Sequence, residues 1–228
     1  ADAGSSGGAC SIHVDGLSFT NNVIVGNEAD SSVYLPASSN AEFVNNTLAD
    51  NEGIGLLLDV RSTTLVTLTN NIVVSHTVGI SVSHGVTAFV RYTLWDGNGQ
   101  DIDGAGLYTE THSVTGSPAF SNTATNDYHL THASAALDAG DPDGVPPAPQ
   151  VDMDGVHRPQ GAAVDIGAYE LSEQGALEGG ELFLPFLSDE EAPTSHDHRH
   201  GWAIGYAEDT SAIIVHTVNG GQTWKVQG

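Results

Sequence analysis

One short stretch, written three times at nearly constant spacing, constrains this chain more than anything else in it. Phe19-Thr20-Asn21-Asn22-Val23-Ile24 returns as Phe43-Val44-Asn45-Asn46-Thr47-Leu48 and as Leu68-Thr69-Asn70-Asn71-Ile72-Val73, at offsets of 24 and 25 residues. A fourth copy, Val90-Arg91-Tyr92-Thr93-Leu94-Trp95, follows 22 residues later without the Asn pair. A second apolar series keeps step: Ile12, Val33, Leu56 and Ile80, each followed two residues on by Val14, Leu35, Leu58 and Val82. Alternation at two residues inside a repeat of about 24 predicts a parallel β-solenoid. A strand advances ~3.3 Å per residue, so one repeat wraps once around a flattened tube with three short strands and three corners.

The Asn pairs have a mechanical reason. Stacked coils lie ~4.8 Å apart, so equivalent side chains sit above one another. An amide carries both donor and acceptor and can bond the amide above and the amide below. The register predicts a structural ladder of Asn22, Asn46 and Asn71, with Ile12, Phe19, Val33, Phe43, Leu56, Leu68 and Ile80 facing inward. Asn also tolerates the left-handed backbone of a sharp corner.

Twenty-seven glycines and 7% aromatics suit thin coils with many corners. Twenty-nine acids face five bases, giving a net charge of -24. That balance repels nucleic acid and anionic membrane and keeps a repetitive β protein soluble. Cys10 is the single cysteine, which excludes an internal disulfide. No apolar run reaches membrane-spanning length, so no membrane insertion is expected. A start at Ala1 without Met, inside a Gly/Ser-rich lead, looks processed or truncated.

Texture changes at Gly116. Gly116-Ser117-Pro118-Ala119-Phe120 precedes Asn126-Asp127-Tyr128-His129-Leu130-Thr131, then Ser134-Ala135-Ala136-Leu137-Asp138-Ala139-Gly140-Asp141. The stretch closes with His157-Arg158-Pro159-Gln160 and Val164-Asp165-Ile166-Gly167-Ala168-Tyr169-Glu170. This order resembles the choice-of-anchor Q domain, the C-terminal part of many secreted bacterial right-handed parallel β-helix proteins; Ala135 stands where that family usually has Pro. The resemblance implies export and a place outside the cell or on the surface of a bacterium, and no reaction. An all-β chain is therefore expected: a right-handed parallel β-helix over residues 1–170, of which 116–170 resemble the anchor domain. Residues 171–200 read as an acidic, His-rich linker, whose apolar Leu182–Leu187 run is expected to dock on the solenoid.

Residues 201–228 form a small antiparallel unit, with strands at Gly201–Gly205 and Ala212–His216 and a tight turn at Asn219-Gly220-Gly221. Thr217-x-Asn219-x-Gly221-x-Thr223-Trp224 resembles the Asp-box hairpin of sialidase-type and photosystem-assembly-factor-like propeller blades, with Asn219 replacing the usual Asp. The box is a folding motif and implies no activity. Trp202, Ile204, Ile213, Val215 and Trp224 need a surface to cover them, and one blade's worth of strands is marginal alone in water. Folding back on the solenoid of the same chain would supply it, as would contact with a further copy, giving a homo-oligomer or an extended filament or surface layer.

Candidate chemistry is sparse. The Asp-x-Asp-Gly turns place Asp101 with Asp103 and Asp152 with Asp154 as weak calcium candidates, and a third runs from Asp141 to Gly144; none has the spacing of a full calcium loop. His196, His198 and His200 alternate on an extended segment, so they point one way and suit weak transition-metal binding. Lyase chemistry on uronates needs a base beside a cation, and the coils carry only Arg61 and Arg91. A glycosidase needs two carboxylates at a fixed separation, and the coils align none of Asp59, Asp96, Asp101 and Asp103. His13, His76 and His84 read as solvent-face residues. No catalytic or cofactor-binding residue is assigned, and calcium is the only cofactor considered. The expected function is a structural or adhesive solenoid, with a carbohydrate-active enzyme or a carbohydrate-binding module as the other readings.

Overall fold

The computed structural model describes residues 10–12, 14–36, 40–59, 64–141 and 144–172, and the backbone of three strands between 201 and 226. It divides into two units, residues 1–173 and 174–228.

The first unit is the solenoid. Each coil contributes one strand to each of three parallel sheets. The first sheet stacks Cys10–Ser11, Ser31–Leu35, Ile54–Leu58, Val78–Val82 and Gln100–Asp103. The second stacks Ser18–Thr20, Ala41–Val44, Thr64–Thr69, Val86–Arg91 and Leu107–Thr111. The third stacks Val23–Val25, Thr47–Ala49, Ile72–Val74, Leu94–Asp96 and Val114–Thr115. Phe19 pairs with Phe43, Phe43 with Leu68, and Leu68 with Val90, which is the register of the four sequence copies. The coil interior is filled by Val33, Leu35, Phe43, Leu56, Leu58, Leu68, Ile80 and Val82, with Ile12 and Phe19 packed partly buried at its first end.

The first rung differs from the sequence reading. Cys10 pairs with Val33 and Ser11 with Tyr34, which sets Ile12 over Leu35, not over Val33. Val14 falls outside the strand and is 49% exposed. A slip of two residues keeps every side chain on its face, so alternation alone cannot distinguish the two registers.

At the other end, Val90 pairs with Glu110. Glu110 therefore occupies the column of Leu68 and Val90, and its Oε1 accepts the Trp95 indole N–H at 2.6 Å. The last coil thus sets a carboxylate where the four earlier coils set an apolar side chain.

Parallel strands end at Thr115. Residues 116–171 form an irregular strap, with one antiparallel pair, Phe120–Asn122 against Asp127–Leu130. The strap explains an unusual feature of the third sheet, which is apolar on both faces. Leu48, Val73 and Trp95 face the coil interior. Ala49, Ile72, Val74 and Leu94 face outward and pack against Tyr128, Leu130, Ala136 and Ile166 of the strap. A sheet covered on both faces reads as a continuous apolar run, as in Ile72-Val73-Val74. At Gly167 (φ 102°) the strap comes so close that an added Cβ would lie 2.6 Å from Ile72 Cδ1.

The second unit contains an antiparallel sheet of Gly201–Tyr206, Ala212–Thr217 and Lys225–Val226, with Trp202 opposite His216 and Ile204 opposite Ile214.

Candidate functional site

The corners between strands carry most of the polar chemistry. Between the second and third sheets the chain turns on one left-handed residue: Asn21, Asn45, Asn70, Tyr92 and His112, with φ between 49° and 58°. The next residue points inward and builds the expected ladder. Asn22 donates its backbone N–H and its Nδ2 to Asn46 Oδ1, at 3.0 and 2.9 Å. Asn46 donates the same two groups to Asn71 Oδ1, both at 2.9 Å. Thr93 ends the ladder, and the left-handed column continues as a stack of Tyr92 on His112, centroids 4.9 Å apart.

A second ladder lies at the next corner, and sequence reasoning missed it. Gly26, Asp50, Ser75 and Gly97 are its left-handed residues, and Asn27, Asn51, His76 and Asn98 follow them inward. Asn27 donates its N–H and Nδ2 to Asn51 Oδ1 at 3.0 and 2.8 Å. His76 holds the third rung between Asn51 and Asn98. Its placement on the solvent face is therefore wrong, since His76 is 4% exposed. The signal was a spacing: each rung of the second ladder lies five residues after a rung of the first.

The outward left-handed Asn column is the seam on which the strap docks. Asn21 Nδ2 donates to Val151 O, Asn45 Nδ2 to Asp165 O and Gly167 O, and Asn70 Oδ1 accepts the Asp141 N–H. Tyr128 adds a bond from its hydroxyl to Asp50 at 2.9 Å, and burial beside that carboxylate pushes the phenol up to about 12.

Inside the strap, Arg158 and Glu170 form an ion pair at 2.7 Å with both side chains 1% exposed. Such a pair is tolerable only when its remaining donors and acceptors are satisfied. Arg158 Nη2 donates to Gly167 O, and Glu170 accepts the N–H groups of Gln160 and Asp165, which leaves the buried Arg158 Nε as the one donor of the pair without a partner among the described residues. Asp165 is pushed up to about 6 by burial, against the pull of backbone N–H donors from Leu171 and Asp138.

Of the calcium candidates, Asp152 is 5% exposed and accepts N–H bonds from Asp154, Val156 and Glu170. Asp154 reaches His129 Nε2 at 2.6 Å, while Asp127 holds His129 Nδ1 at 2.5 Å. The imidazole stacks on Tyr169, centroids 3.9 Å apart. A carboxylate at each nitrogen favours the charged ring. Burial pulls His129 down, but the bonds to Asp154 and Asp127 outweigh it and raise its pKa, while His129 lowers that of Asp127. Asp101 and Asp103 lie elsewhere, on the last strand of the first sheet, where Asp101 accepts from Asn98 Nδ2 at 3.0 Å. No group of three or more metal-ligating side chains occurs among the described residues. His196, His198, His200 and Trp224, and the Leu182–Leu187 run, lie outside the described residues. Trp202, Ile204, Ile213 and Val215 are placed on strands of the second unit by backbone alone.

On the outer face of the second sheet, Phe89 is 40% exposed in a shallow cleft with Thr67, Arg91 and Val145. Arg91 Nη2 donates to Val145 O at 2.6 Å. Among the described residues no helix is long and apolar enough to cross a membrane.

Residues 2–94 match the family model described as "Right handed beta helix region". No curated protein and no solved structure matches the chain. The match and the coil geometry agree that the first unit is a right-handed parallel β-helix.

Proposed function

We propose that this chain is a non-catalytic structural or adhesive solenoid, working outside the cell or on the surface of a bacterium, with residues 116–170 as a choice-of-anchor Q domain. One observation carries this reading: the strap's buried ionisable side chains are committed to holding its own turns. Arg158, Glu170, Asp165 and Asp152 have hydrogen-bond partners within the strap, and Tyr128 and the Asn column fasten it to the coils. A buried carboxyl whose oxygens already accept two or three N–H bonds is fixed in place and tied to the turns around it, which suits an anchor.

Self-association belongs to residues 201–228. Glu110 supports this division, because an inward charge on a terminal strand discourages stacking of a further coil. The second unit, a three-stranded antiparallel sheet, offers strand edges instead. Light scattering of the full-length chain against one ending at Glu170 tests the assignment. Association of the full-length chain alone is expected, and a strictly monomeric full-length chain overturns it.

A glycan-binding reading rests on the cleft, where an exposed aromatic stands beside a guanidinium. Saturable binding on a glycan array that Phe89→Ala abolishes would establish it over the structural reading. Release of reducing ends from the same glycans would point to an enzyme.

A further inference from the structure

His76 occupies a position built for an amide, and the geometry around it admits only one protonation state. The second ladder runs one way: each rung receives donors from the rung before and donates to the rung after. Asn51 cannot turn its amide over, because its Oδ1 already accepts Asn27 N–H and Nδ2 and its Nδ2 donates to Ile24 O at 2.9 Å. It therefore presents Nδ2, a donor, to His76 Nε2 at 3.1 Å. Asn98 is fixed from the other side. Its Nδ2 donates to Val73 O at 2.8 Å and to Asp101, so it presents Oδ1, an acceptor, to His76 Nδ1 at 3.3 Å. The ring must carry its hydrogen on Nδ1 and keep a lone pair on Nε2.

We propose that His76 is an acid-sensitive rung: a proton on Nε2 sets two donors against each other in a closed column and opens the coil stack at this corner.

The surroundings give the proton no compensation. Gly55 of the first sheet lies against the imidazole, where an added Cβ would stand 3.0 Å from Cδ2 and Nε2; that strand brings no charge. Asp50, at the corner one coil before, favours the charged ring, but its carboxylate also accepts the Tyr128 hydroxyl. Asp101 reaches His76 only through the Asn98 amide. Burial outweighs both the Asn98 bond and Asp50, and it lowers the His76 pKa below its ordinary 6.5. The unfolded chain then takes up the proton first. Stability from this rung is full above about pH 6.5 and is lost as pH falls below it.

The test is the full-length chain against His76→Asn, which restores an amide to the column. Urea unfolding is followed from pH 7.5 to 5.0. The wild-type folding constant should fall by up to about tenfold per pH unit below 6.5 relative to that of His76→Asn, since every other histidine is common to both. Parallel pH profiles overturn the proposal. Should His76→Asn fail to fold, long-range ¹⁵N NMR of the wild-type imidazole decides. An Nδ1–H tautomer persisting below pH 6.5 supports the acid-sensitive rung, and a ring that protonates at or above 6.5 with the fold intact refutes it.

Discussion

Removing one amide from the first ladder should cost far more than an average hydrogen bond. Asn46→Ala deletes an Oδ1 that accepts two donors from Asn22 and an Nδ2 that donates to Asn71 Oδ1 and to Phe19 O, at 2.9 and 2.8 Å. Asn46 and Asn71 are 0% and 1% exposed, whereas Asn22 and Phe19 on the first coil are only half-buried, so water takes up part of what is lost there. The groups left short are the Asn22 N–H and the Phe19 carbonyl, and in part Asn22 Nδ2, which keeps Thr20 O. At about 1–3 kcal/mol for each buried unsatisfied group, with the lower half of that range for the half-buried ones and less for the shared one, the loss comes to about 2–4 kcal/mol. Out of a total of about 5–15 kcal/mol for a domain, that is enough to unfold a weak solenoid. Asn46→Asp is a sharper control: it still accepts from Asn22 but sets oxygen against Asn71 Oδ1 and Phe19 O. It should be at least as damaging near neutral pH. Urea unfolding with circular dichroism at 218 nm measures both. A loss below about 1 kcal/mol for Asn46→Ala, at unchanged m-value, would falsify the claim that the ladder holds the coils in register.

Arg158→Met strands Glu170 among buried groups and is expected to cost about 3–5 kcal/mol, whereas Arg158→Met with Glu170→Leu should regain part of the loss; thermal unfolding of the two variants side by side checks the order. The His129 clamp acts in the opposite pH sense to His76. Its raised pKa makes its contribution complete below about pH 6.5 and lost as pH rises through the raised value. Asp127, lowered, contributes above about 3.8 and fails as pH falls through its folded value. Hydrogen-exchange protection around 127–130, taken relative to the intrinsic rate at each pH, should be highest between those limits, and a flat protection profile in wild type, or one that survives His129→Gln, counts against the clamp.

The coil register was legible where two signals coincided. Phe19, Phe43 and Leu68 stack as read because the Asn pair beside each fixes the phase. Ile12 has only alternation to place it, and alternation does not distinguish registers two residues apart. His76 is not legible as a rung by letter, because it breaks the run of Asn27, Asn51 and Asn98. Its rung is defined by donors and acceptors, and an imidazole supplies one of each. The change of texture at Gly116 marks where the parallel strands end, at Thr115, but not where the strap lies. The outer face it covers is made of residues such as Ala49, Val74 and Leu94, which in sequence look no different from their inward neighbours.

The seam between strap and coils has a consequence for size. Coils are interchangeable, and a stack with matched amides could in principle gain or lose one coil without changing any local contact. The strap cannot. It is a single aperiodic segment whose polar groups meet Asn21, Asn45, Asn70 and Arg91, on four successive coils. An extra coil inserted between Asn45 and Asn70 would move half of those partners by ~4.8 Å and leave the strap's carbonyls and N–H groups facing the wrong rung. The strap is thus a ruler: a repeat that could be copied at any number is held to the length its own C-terminal segment can span.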